Sequence, residues 1–277
     1  MVKKSPSKED DDELPVRNIA DVTYHRSFVI YGRSGSGKTT LSSTFPGPIL
    51  YANIRDNGTD SIADVPGIKV YEIESIEDLE DLRMWLRRNR KDLARGKKYK
   101  TLVIDTMSQL QELYVEEVGA RKAKKKGKRA GDWGSMTKQD WGEVSGEMKS
   151  LIIELRNLPM NVVFIAQDRT FNFDDDSGEI DGQLVPEIGP RLMPSVVSVL
   201  NAAVGVIGCT FVRRKFIKKK SKTSNKIKSE EKMVYCLRLG PSAVFTTKVR
   251  KPRDIAAPDF IEDPTYDDII SVIEGDY

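Results

Sequence analysis

Residues 32–39 read Gly32-Arg33-Ser34-Gly35-Ser36-Gly37-Lys38-Thr39, a complete G-x-x-x-x-G-K-[ST] pattern. Glycines let the backbone turn so that successive N–H groups converge on one anion, and Gly35 and Gly37 can take backbone angles closed to other residues. Lys38 is expected to reach the β- and γ-phosphates of a nucleotide, and the Thr39 hydroxyl to ligate Mg²⁺. A helix beginning near Lys38 and running through Thr40 adds its positive dipole end. The flanks suit the motif. Ser27-Phe28-Val29-Ile30-Tyr31 is apolar and β-prone, as a buried strand is, and Pro46-Gly47-Pro48 stops the short helix that follows. Strand, glycine loop and helix make residues 32–40 the candidate phosphate cradle.

Working outward, 277 residues can hold one large α/β domain, or one domain with appendages, and 39% hydrophobic with 31% charged residues fit a globular chain with charged loops. No apolar run approaches the ~20 residues of a membrane span, and Met1-Val2-Lys3-Lys4-Ser5-Pro6 leads into acid, unlike a secretion signal. Cys209 and Cys236 read as small core residues, which points to a reducing, cytoplasm-like compartment. With His25 the sole histidine, a His-based metal site or catalytic triad is excluded. The net charge of +3 hides segregation: Glu9–Glu13 is acidic, and Arg121–Arg129 and Arg213–Lys228 are basic. The basic runs read either as solvated loops or as grips for a phosphate backbone.

Further strands are expected at 48–53, 68–73, 101–106, 161–166, 203–209, 233–239 and 243–247. Helices are expected after Ser75, with Leu79, Leu82, Trp85 and Leu86 on one stripe, over 107–118, over 136–157, from about Pro190 to Leu200, and after Asp263-Pro264. The 136–157 helix carries Met148, Leu151, Ile152 and Leu155 on one side, a face that Trp141 and Val144 extend. Alternating strands and helices predict a mostly parallel sheet flanked by helices, with an antiparallel β extension at its C-terminal end. The division is an acidic, unstructured tail over 1–20, a core over 21–255 and a helical tail over 256–277. The core includes a basic loop at 119–133, a polar loop at 168–187 and a lysine-rich hairpin at 213–230, with 215–230 as its loop.

Leu102-Val103-Ile104-Asp105 is an apolar strand delivering a carboxylate. Asp105 there either holds Mg²⁺ with Thr39 or caps the next helix. A water-activating acid is also required; Asp56 in the turn Ile54–Thr59 is the first candidate and Asp60 the second, although Asp-Asn-Gly is equally a plain turn. Gln167, at the end of the Val162–Ala166 strand, either senses the γ-phosphate or closes the strand by hydrogen bonding.

Together these residues resemble the RecA-like P-loop ATPases, and among them the phage-encoded nucleotide-binding AAA-domain proteins of single-strand annealing and recombination. The matching pieces are Tyr31-Gly32…Lys38-Thr39, Pro48…Asn57-Gly58-Thr59, Leu102–Asp105, Gln139-Asp140-Trp141-Gly142, Phe164-Ile165-Ala166-Gln167 and Leu237-Arg238-Leu239-Gly240-Pro241 leading to Lys248-Val249-Arg250, spanning about residues 26–253. The resemblance implies a RecA-like core and ATP hydrolysis with Mg²⁺. It also implies ATP at the interface between protomers of a ring or filament, with Lys248 and Arg250 reaching a neighbour's site. Two loops would face single-stranded DNA: the first with Arg121, Lys122, Lys124, Lys125, Lys126, Lys128 and Arg129, the second with Arg169 and Phe171. The second departs from that expectation, because Asp174-Asp175-Asp176 and Glu179 repel phosphate. Asp56 stands where many such enzymes carry Glu.

The leading reading is a DNA-dependent ATPase of phage-type recombination or annealing, in the bacterial host cytoplasm if phage-encoded, with no membrane partner. A single-strand-binding protein is a further candidate partner. Three alternatives stand beside it: a replicative-helicase-like or loader motor on the same core, a small-molecule kinase from a different enzyme class, and a nucleotide-gated scaffold with negligible turnover.

Overall fold

The computed structural model describes residues 25–56, 58–125, 136–173, 185–220, 227–251 and 256–277. In chain order the elements are β1 (Ser27–Gly32), α1 (Lys38–Ser42), β2 (Ile49–Ile54), a 3-10 turn (Gly58–Ile62), β3 (Ile68–Ile73), α2 (Ile76–Arg88), α3 (Arg90–Ala94), β4 (Thr101–Asp105) and α4 (Met107–Lys125). They continue with α5 (Lys138–Arg156), β5 (Asn161–Ala166), β6 (Asp168–Phe173), β7 (Val185–Pro190), α6 (Pro194–Ala203), β8 (Val206–Lys220), β9 (Ile227–Arg238), β10 (Lys248–Val249), β11 (Phe260–Glu262) and α7 (Tyr266–Glu274).

Nine of the described strands join one sheet in the order β11-β9-β8-β1-β5-β4-β2-β3, with β10 paired to β8. β1, β2, β3, β4, β5 and the start of β8 run parallel, and β9, β10 and β11 add antiparallel pairings at one side. This is the expected α/β class: a mostly parallel sheet flanked by helices, with antiparallel strands toward the C-terminus. Strands buried on both faces read as continuous apolar runs, which is why β1, β2, β4 and β5 were legible.

Side chains alternate across the sheet and divide the core in two. Val29, Tyr31, Leu50, Ala52, Leu102, Ile104, Val162 and Phe164 pack against the apolar stripes of α2, α4, α5 and α6. Phe28, Ile30, Ile49, Tyr51, Val103, Val163 and Ile165 face Leu41 and Phe45 near α1 and Ile269, Val272 and Ile273 of α7. The same alternation sets Asp105, two residues beyond Val103, on the α1 side. α2 begins as expected, with Ser75 Oγ accepting from Asp78 N at 3.2 Å and the Asp78 carboxylate accepting from Ser75 N in return. On α5, Val144 joins the buried face and Trp141 does not; it is exposed.

Several expected boundaries change. The helix placed at 107–118 continues to Lys125, so Arg121–Lys125 of the basic block are helical, and 126–133 of the expected 119–133 loop lie outside the described residues. The 168–187 segment is not simply a loop: β6 and β7 pair antiparallel from Asp168↔Pro190 to Phe173↔Val185, and 174–184 lies outside the described residues. The lysine-rich 215–230 stretch is mostly strand, because β8 and β9 stay paired from Cys209↔Arg238 to Lys220↔Ile227. A run this dense in lysine lacks the apolar alternation of a half-buried strand, so it read as loop. The expected 243–247 strand reduces to one bridge, Ile188↔Phe245, and the strand lies at 248–249. The helix expected from Pro190 starts at Pro194, and the strand expected from Ala203 starts at Val206. The tail at 1–20 lies outside the described residues. No described helix is long and apolar enough to cross a membrane.

Candidate functional site

The glycine loop leaves the C-terminal end of β1 and opens onto a cavity of about 630 Å³. Its lining includes Ser34 to Thr40 from the loop and α1, Asp56 and Gly58 after β2, Asp105 and Thr106 after β4, Gln167 after β5, and Thr210 of β8. β1, β2, β3, β4 and β5 end at this edge while β8 runs past it at Thr210, and the side chains that the sequence nominated after β2, β4 and β5 meet there because those parallel strands finish on the same side.

Gly35 and Gly37 have φ of 75° and 90°. Gly37 is also approached by the Tyr235 ring: a Cβ at position 37 would lie 3.1 Å from Tyr235 Cδ1. Ser36 Oγ donates to Arg33 O at 2.6 Å and lies 2.6 Å from Thr210 Oγ1, pinning the loop to β8. Lys38, only 8% exposed, donates from Nζ to the carbonyls of Gly32 and Arg33, each at 2.8 Å. Burial pulls its pKa down, while Asp105, Asp168 and Asp56 pull it up. α1 has only five residues, so its dipole adds little to the field from the loop's own N–H groups.

Asp105 is 3% exposed, and the peptide linking it to Thr106 is cis. Its Oδ2 accepts from Tyr51 at 2.5 Å and from Thr39 Oγ1 at 3.2 Å. Burial pushes the carboxyl above the usual range and outweighs the hydrogen bonds that favour the anion. Tyr51 was missed in the sequence, where it read only as strand interior. The clue was period-2 spacing in register: Asn53 pairs with Asp105, and Tyr51, two residues earlier, shares the α1 face with Asp105. Thr39 and Asp105 supply hard oxygen donors, and no described cluster of three or more His, Cys, Asp or Glu competes as a metal site. That set fits Mg²⁺, which commonly takes one or two carboxylates and completes its shell with phosphate and water.

Asp56 follows Asn53, whose Nδ2 donates to Asp56 O at 2.5 Å and to Glu72 Oε2 at 2.7 Å, so the backbone of the turn is held. Gln167 is held on two sides: its N–H donates to Ser108 Oγ at 3.2 Å, and its Oε1 accepts from Arg191 Nη1 at 2.8 Å. Arg191 lies just past β7 and also pairs with Glu112 at 3.1 Å, a link the sequence did not suggest. Asp60 does not line this cavity.

Lys248 and Arg250 are not brought to this cavity. β10 pairs with the first residues of β8, at the sheet edge opposite the glycine loop, and the two side chains donate to Asn201 O at 2.6 Å and Ala202 O at 2.9 Å. The nominated DNA-binding cations are partly engaged within the chain. Lys122 Nζ is 2.6 Å from Asp140 Oδ2, and Arg121 reaches Glu117 at 3.2 Å and Glu143 at 3.0 Å. Lys124 and Lys125 are exposed at the end of α4, and Arg169 lies 5.0 Å over the Phe171 ring. Lys126, Lys128 and Arg129 lie outside the described residues. Cys209 and Cys236 are free and buried, and burial lifts the Cys209 thiol to about 11.

A protein-family model described as an AAA domain matches residues 25–230. No curated protein matches the chain.

Proposed function

The chain belongs to the AAA-domain family of P-loop ATPases, and on that premise we propose that it is a Mg²⁺-dependent ATPase that assembles on single-stranded DNA. The observation that carries the nucleotide part is convergence: Lys38, Thr39, Asp56, Asp105 and Gln167, drawn from four loops, line one cavity around the glycine loop.

The residues divide the work by chemistry. The backbone N–H groups of residues 34–39 and the Lys38 ammonium hold the phosphates as fixed donors, at little reorganisation cost during reaction. Thr39 and Asp105 would hold Mg²⁺, which when bound neutralises charge on the phosphate oxygens. Tyr51 fixes the Asp105 rotamer and favours its ionised form. Asp56, which lines the cavity, would accept a proton from the attacking water, and the Gln167 amide, which also lines it, would bond the terminal phosphate without repelling it.

The DNA part rests on the exposed cations at the end of α4 and on the resemblance to recombination ATPases, as does a ring or filament with Lys248 and Arg250 serving a neighbouring protomer. A second reading, a nucleotide-gated protein without a DNA partner, is favoured by the ion pairs that already occupy Arg121 and Lys122.

Phosphate release from ATP, measured with and without single-stranded DNA at fixed moderate salt, separates them. The first reading predicts Mg²⁺-dependent turnover stimulated by DNA and lost in Lys38→Ala. Turnover indifferent to DNA selects the second. Turnover that survives Lys38→Ala removes the nucleotide site itself.

A further inference from the structure

We propose that the C-terminal part of the chain, beyond the family match, builds the slot for the nucleoside base, with Tyr235 as its stacking platform. The inference rests on the nucleotide-site reading above and extends it to a part of the ligand that the glycine loop does not touch.

The sheet order supplies the direction. β1 and its glycine loop lie between two groups of strands: β5, β4 and β2 on one side, β8, β9 and β11 on the other. Asp105, Asp56 and Gln167 come from the first group, so the terminal phosphate and its cation belong there. A nucleoside triphosphate laid across the loop must then place its base over the second group. On that side the cavity is lined by Thr210, Tyr235, Asp263, Pro264 and Thr265, together with Thr40 and Thr44 from the α1 segment.

Tyr235 has the character such a site needs. It is 47% exposed, although its ring edge rests against Gly37 of the phosphate loop. An aromatic ring that lines the cavity and is about half exposed offers a base the stacking partner that polar side chains cannot. The opposite wall is held by three independent ties. Asp263 N donates to Tyr235 O at 2.6 Å, and Tyr266 N donates to Thr44 Oγ1 at 2.8 Å. The Thr265–Asp268 capping box closes the first turn of α7, with Thr265 N donating to Asp268 Oδ2 at 2.8 Å. The turn is thus fastened both to the strand that carries the ring and to the segment that follows the phosphate loop, so the slot is formed in advance. Tyr235, Pro264 and Thr265 all lie outside residues 25–230, so the stacking ring and the turn tied to it come from the remainder, while the phosphate loop lies in the matched segment.

Stacking is read by comparing a ligand that has a base with one that lacks it. Isothermal titration of the full-length protein with ATP and with inorganic tripolyphosphate, both with Mg²⁺, is done on wild type, Tyr235→Ala, Tyr235→Phe and Tyr235→Leu. Tyr235→Leu keeps apolar bulk against Gly37 and guards against a folding defect. The expected result is a loss in ATP affinity of roughly 5- to 150-fold for the Ala and Leu variants, with tripolyphosphate unchanged and Phe close to wild type. ATP affinity unchanged in both Ala and Leu variants overturns the base slot and leaves the phosphate site standing. Equal loss of both ligands overturns it too, since the ring would then act only through the loop. Wild type that binds neither ligand overturns the nucleotide reading and this inference together.

Discussion

The Tyr51 hydroxyl donates a 2.5 Å hydrogen bond to Asp105 Oδ2, the same oxygen that Thr39 reaches from the phosphate loop. A buried carboxylate is thereby supported by a strand neighbour on one side and by the start of α1 on the other. Burial raises the Asp105 pKa and the Tyr51 bond lowers it, with burial dominant. Because the folded pKa is raised, the folded state holds the proton more tightly than the unfolded chain does. Stability from this group is therefore present at low pH and declines as pH rises from the ordinary aspartate value through the folded pKa.

Tyr51→Phe removes the bond that favours the anion. The Asp105 pKa then rises further, and the acidic limb of Mg²⁺-dependent ATP hydrolysis should move to higher pH. A charge-assisted bond of this kind contributes about 1.5–3 kcal/mol, so urea unfolding at neutral pH should also report a loss of that order. An acidic limb that stays in place in the pH–rate profile would show that Tyr51 does not govern Asp105.

Asp105→Asn tests the same balance from the other partner. The amide keeps an oxygen for Tyr51 and removes a charge that burial disfavours at neutral pH. The thermal midpoint without nucleotide should stay level or rise, while ATP hydrolysis falls to background. A clear drop in the midpoint would mean that the ionised carboxylate stabilises the fold, against the direction of its pKa shift.

Legibility followed burial and local geometry. β1, β2, β4 and β5 could be read because two-sided burial leaves unbroken apolar runs, and the phosphate loop because its glycines and lysine sit at fixed spacing. Asp105 and Gln167 followed, since the last residue of a parallel strand has one place to go. Tyr51 and Arg191 could not be read, because each is defined by a partner 54 and 24 residues away, respectively, whose register only the fold supplies. Tyr235 lay in an expected strand, 233–239, but its place beside Gly37 follows from its pairing with Val212 of β8, which only the fold supplies.

The centre of the sheet should be intolerant of truncation. Phe164 lies on β5 between β1 and β4, is fully buried, and packs in the larger of the two core layers. Phe164→Ala should cost about 3–5 kcal/mol through reduced burial and the cavity left behind. The urea midpoint should fall without a change in slope. A shift equivalent to less than 1 kcal/mol would mean that the strand closes over the gap, contrary to the close packing expected of such a core.

The basic end of α4 divides into cations committed to a neighbouring acid and cations that point to solvent. Lys122 is committed to Asp140, whose carboxyl is held down to about 2 by the Lys122 bond first and by Thr137 of the α5 capping box next. A depressed aspartate stabilises the fold above its unfolded pKa, and that contribution disappears as pH falls from about 4 toward 2. Lys122→Gln should therefore flatten the acid dependence of stability over this window and leave single-stranded DNA affinity nearly unchanged. Lys124→Gln with Lys125→Gln should do the reverse: stability holds, DNA binding weakens, and the slope of log affinity against log salt shrinks by roughly 0.7 for each phosphate that the protein no longer neutralises. If the double variant keeps both its affinity and its salt slope, the end of α4 is not where the polyanion binds, and the ion-paired cations around it are a solvated surface.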